Sequence, residues 1–204
     1  MRSTSLALGC ILFVIAPAGG SAQTAQPARV SVCVRNEGVV PIDNLSQAEV
    51  TAATIFERAR VDIEWRCRKP HAGKLISVEV VPNSDRSGRH PMAYALPYEG
   101  VHIRVFYDHI EQFPNRAAVL AYTFVHEITH ILQGTARHSS TGIMKARWTA
   151  TDIDKMDCQH LSFTPVDVTL IQKGLAARAT MDSSTASATL QPAMLQPSSP
   201  DDEP

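Results

Sequence analysis

The chain has 204 residues, 44% of them hydrophobic and 19% charged, and its 19 Lys+Arg against 20 Asp+Glu give a formal net charge of −1. That apolar content excludes a wholly disordered protein, and the balanced charge excludes a nucleic-acid binder steered by electrostatics. The length suits one domain with tails.

Residues 1–22 read as a secretory signal peptide. Arg2 opens it, an apolar run covers 6–16, and Gly20 and Ala22 place small residues ahead of a cut before Gln23. The run is short of the roughly 20 apolar residues that span a bilayer. The expectation is an exported protein, secreted or periplasmic, with no stable membrane insertion after cleavage. Cys33, Cys67 and Cys158 then remain. An oxidising compartment permits one bridge among them, and Cys33–Cys67 is the first choice because both sit in β-like segments that suit neighbouring strands. Three small buried thiols are the alternative.

Past the signal, residues 29–35 alternate apolar and polar as a strand does. Residues 45–59 show helical spacing, with Asn44 as the expected cap and Leu45, Ala48, Ala52, Ile55, Phe56 and Ala59 on one stripe. Segments 61–67, 74–81 and 101–107 read as strands, and 92–96, bracketed by Pro91 and Pro97, reads as a short strand at the sheet rim. Strand–helix–strand order at the start predicts a βαβ crossover. The fold class is therefore α/β (α+β), a mixed, mainly parallel sheet with a small helical C-terminal part. The single domain spans 23–179.

Residues 117–133 form the strongest helix, with Leu120, Phe124, Ile128 and Ile131 as a stripe and Gly134 as the stop. Thr151 is the expected cap of a short acidic helix. Thr164-Pro165-Val166-Asp167 starts a last helix, which should end near Arg178. Residues 180–204, rich in Ser, Thr, Ala, Gln and Pro, cannot bury a core and read as a disordered tail.

Inside the strongest helix lies His126-Glu127-Ile128-Thr129-His130, an HExxH sequence. Histidines four apart share a helix face and can grip one ion, and the glutamate beside the first can reach a water held there. A catalytic zinc needs a third ligand. His138, beyond the Gly134 turn, is the best candidate, and the only glutamate after Glu127 is Glu203 in the tail. Asp152, Asp154 and Asp157 are alternative oxygen ligands, with His160 more distant. His71, Asp85, His90 and His102 read as scattered surface groups rather than a second metal site. Trp65 and Phe106 are expected in the core, Trp148 beside residue 144, and Lys145 and Arg147 in solvent.

The stretch 126–144, HEITHILQGTARHSSTGIM, resembles the metzincin metallopeptidases in the matrixin style, and short exported bacterial proteins that carry such a motif. The resemblance implies a Zn2+ held by His126, His130 and His138, Glu127 as general base, Met144 as the methionine of the turn under the metal, and an edge strand near 92–96 that pairs with substrate. The loop from His130 to His138 is two residues longer than the family pattern. Lys145-Ala146-Arg147-Trp148 stand where some members place a tyrosine. The expected function is a zinc-dependent endopeptidase acting on a peptide or protein substrate, with no nucleic-acid partner. The alternatives are an exported zinc-binding module without peptidase activity, or a metal-free domain in which HExxH arose by chance.

Overall fold

The computed structural model describes residues 26–67, 74–82, 91–96 and 101–189, with side chains to 181. The signal segment 1–22, His71, Asp85, His90 and residues 190–204 lie outside the described residues. No helix among the described residues is long and apolar enough to cross a membrane.

Strand β1 (Ala28–Asn36) leads into helix α1 (Ile42–Glu57) and then strand β2 (Val61–Trp65), which lies parallel to β1 as the crossover predicts. Strand β3 (Ile76–Val81) pairs parallel with the other side of β1, and strand β5 (His102–Phe106) pairs parallel with β3. The sheet closes with β4 (Ala93–Ala95), antiparallel to β5 at the edge, in the order β2-β1-β3-β5-β4. Alternation holds in β3, where Ile76, Val78 and Val80 are buried and their neighbours are half-buried. Cys33 and Cys67 form a disulfide that ties β1 to the chain just past β2.

Helix α1 starts earlier than predicted. Pro41 occupies the cap position, Leu45 N–H donates to its carbonyl, and Asn44 lies within the first turn with its amide directed to the Tyr107 hydroxyl. The fixed φ of proline organises the turn without a side-chain cap.

Helix α2 (Arg116–Gln133) is the centre of the molecule, packed against α1, α3 (Ala150–Asp157), α4 (Pro165–Thr189), β4 and β5. Its predicted stripe is fully buried, and so is nearly all of 117–132, since the later helices cover the far side. Each such Leu, Ile or Phe contributes about 1.5–3 kcal/mol through burial. At Gly174 the backbones of α4 and α2 meet: a Cβ there would fall 1.8 Å from the Leu132 carbonyl oxygen.

Two helix boundaries differ from expectation. Thr149, not Thr151, caps α3 in a reciprocal capping box with Asp152. Helix α4 runs on to Thr189 rather than ending near Arg178. Extending a formed helix costs far less than starting one, so a Ser/Thr/Ala sequence can continue the turn. Phe106 is core as expected, and Trp65 is half-buried with its ring 5.9 Å from Phe124.

Candidate metal centre

Helical geometry places His126 and His130 one turn apart on the same face of α2, and Gly134 brings the chain back beneath them. Gly134 is left-handed, at φ 65°, which ends the helix and turns the Thr135 carbonyl towards its last turn. That carbonyl lies 3.0 Å from His130 Nδ1, and the Ile143 carbonyl lies 3.0 Å from His126 Nδ1. Carbonyl oxygens only accept, so both Nδ1 atoms carry the proton and both Nε2 atoms present bare lone pairs. Those two Nε2 atoms face each other at 3.0 Å.

His138 joins them from the loop. Its ring centroid is 5.3 Å from that of His126 and 4.9 Å from that of His130, and one ligand atom from each of the three rings lies within 4.8 Å of the others. Lone pairs converging in a largely buried pocket repel each other unless a cation shares them. The set fits a metal ion, and its all-imidazole chemistry suits zinc and the neighbouring divalent transition ions. Burial lowers the His126 imidazole to about 4, outweighing the raising bond from Ile143, and burial lowers His130 as well. Neutral rings are the form in which imidazole binds metal.

Fixation of His138 comes from a distance. Asp167, in the first turn of α4, is 0% exposed. Its Oδ2 accepts from Thr164 N–H at 3.0 Å and Thr164 Oγ1 at 2.6 Å, which is the cap expected from the sequence. Its Oδ1 accepts from Ser139 Oγ at 2.6 Å and Arg137 Nη1 at 3.0 Å. Arg137 and Ser139 flank His138, so one carboxylate grips the loop on both sides of the third histidine. Burial alone would raise the Asp167 carboxyl, but these bonds hold it below the usual carboxylate range.

The turn at Ile143-Met144 lies beside His126, through the Ile143 carbonyl. Met144 is fully buried, its carbonyl accepts from Ser139 N–H at 2.7 Å, and Ile143 N–H donates to Ser162 at 3.1 Å. Gly142, at φ 75°, is required twice over, since a Cβ would lie 2.3 Å from the Ser162 carbonyl oxygen. Trp148 packs beside this turn as expected, with Nε1 donating to the Ile143 carbonyl at 3.0 Å and its ring edge-on to His126. Lys145, expected in solvent, is instead ion-paired with Asp152 of α3. That pairing, first among the causes, brings the Asp152 carboxyl down to about 2.

Glu127 is 7% exposed and accepts a hydrogen bond from the Ala95 backbone on β4. Burial pushes its carboxyl up to about 8 despite that bond. It lines a cleft of about 690 Å3 together with the three histidines, β4 and residues 145–148. The alternative ligands fall elsewhere: Asp152 caps α3, and neither Asp154, Asp157 nor His160 joins a metal-ligand cluster among the described residues. His102 lies exposed on β5. Known protein families yield no matching model for this chain, and no curated protein matches it.

Proposed function

We propose that the protein is an exported zinc-dependent endopeptidase. The observation that carries this reading is the pair of facing, proton-free Nε2 atoms, 3.0 Å apart, with His138 beside them and Glu127 in the same cleft. His126, His130 and His138 would hold the ion. Zinc bound there supplies a Lewis acid that polarises the scissile carbonyl and acidifies a water. Glu127 takes a proton from the attacking water and delivers it to the leaving amine. Among the described residues β4 has β5 on one side only, and its other edge suits an extended peptide docking as an added strand. The Cys33–Cys67 bridge supports export, since such bonds persist in oxidising compartments.

Trp148 favours a second reading, an exported zinc-binding module without peptidase activity. Its indole N–H is spent on the Ile143 carbonyl and so is no transition-state donor itself. One experiment separates the two. Glu127→Gln should keep stoichiometric zinc and lose at least about a hundredfold in hydrolysis of unfolded protein. Cleavage at the parent rate by the variant rules out the mechanism. Zinc without cleavage by the parent favours the module, and purified protein lacking zinc rules out both.

A further inference from the structure

We infer that the cleft selects peptides bearing a carboxylate near the bond to be cut, with Arg147 as its anchor, an inference that rests on the peptidase reading. Among the described residues, three acidic or basic side chains besides the histidines line the cleft: Glu127, Lys145 and Arg147. Glu127 is deep and buried beside the histidines, where it belongs to the chemistry. Lys145 is neutralised by Asp152, whose carboxylate also accepts from Thr149 N–H and Oγ1 at 2.8 Å. Arg147 is exposed and makes no ion pair or side-chain hydrogen bond among the described residues.

The backbone that carries it is fixed on both sides. Met144 is anchored to Ser139, Trp148 to the Ile143 carbonyl, and Thr149 N–H to Asp152. An arginine presented from so short and well-held a stretch loses little backbone freedom on binding. Across the cleft, Met92, Ala93, Tyr94 and Ala95 bring no acid to compete for it. A guanidinium with five donors and no partner is satisfied best by a carboxylate, which it meets through two parallel hydrogen bonds. The carboxylate is either an Asp or Glu side chain or a substrate C-terminus.

The test uses otherwise identical peptides in which one Glu or Gln is scanned through each position, made with free and amidated C-termini. Binding is measured on zinc-loaded Glu127→Gln protein by calorimetry, and hydrolysis on the parent. The expected result is one position at which Glu binds at least about fivefold tighter than Gln, or a free terminus that binds at least about fivefold tighter than the amide. The first outcome identifies a side chain and the second a C-terminus. Adding Arg147→Ala should shrink either preference to within about twofold, with the thermal midpoint unchanged because the side chain is exposed. Equal binding of acid and amide peptides, binding of none, or a preference that survives Arg147→Ala overturns the inference. An Arg147-dependent preference with no hydrolysis by the parent upholds Arg147 as a carboxylate anchor of the cleft and defeats the peptidase reading, and with it the placement near a cut bond.

Discussion

Asp167 holds the loop that brings His138 to the other two histidines. Its bonds to Arg137 and Ser139 fix the His138 loop, so Asp167→Asn, which keeps the shape but removes the charge, should loosen the third ligand. The expectation is a loss of zinc affinity of about 10–100-fold, measured by competition with a chelator, while His126 and His130 still hold some metal. The sign with pH follows from the lowered carboxyl. Its folded value lies below the ordinary 3.8, so its stabilising contribution is complete above 3.8 and is lost as pH falls from there through the lower folded value. Zinc-free parent protein should therefore lose part of its stability to urea below about pH 4. Asp167→Asn should lack that component, and an identical acid profile would show that the carboxylate contributes nothing.

Among the elements, α2 was the most legible. Its apolar stripe, its glycine stop and the i, i+4 spacing of His126 and His130 are all local, and local signals survive folding. His138 was legible as a neighbour of the other two histidines because the turn needs only a glycine. The boundaries that differed turned on ties which sequence does not break. Thr149 and Thr151 each precede an aspartate by three residues, and the choice went to Thr149, whose partner Asp152 also meets Lys145. The cap at Thr164 was readable, whereas the second oxygen of Asp167 bonds residues 28 and 30 positions away. No periodicity encodes such a contact. Gly142 marks the most constrained turn. Gly142→Ala should destabilise the fold by roughly 2–4 kcal/mol in urea unfolding, because the positive φ and the clash with the Ser162 carbonyl add together. A cost below about 1 kcal/mol would mean that the turn relaxes freely.

For the molecule as a whole, the sheet and the metal site are held by different devices. The Cys33–Cys67 bridge joins residues 34 apart in sequence, at the β1–β2 side of the sheet, while the histidines sit beside β4 at the opposite edge. A loop of that length is worth about 3–4 kcal/mol. Cys33→Ser should lower the thermal midpoint by several degrees yet leave zinc affinity within about twofold of the parent. A large drop in affinity would show that strain crosses the sheet. The Ile143 carbonyl has a consequence of another kind. It is shared by His126 and by the indole of Trp148, one of only two tryptophans in the chain. The molecule thus carries its own optical gauge: the emission colour of that ring ought to track ion loading in real time, with no dye attached.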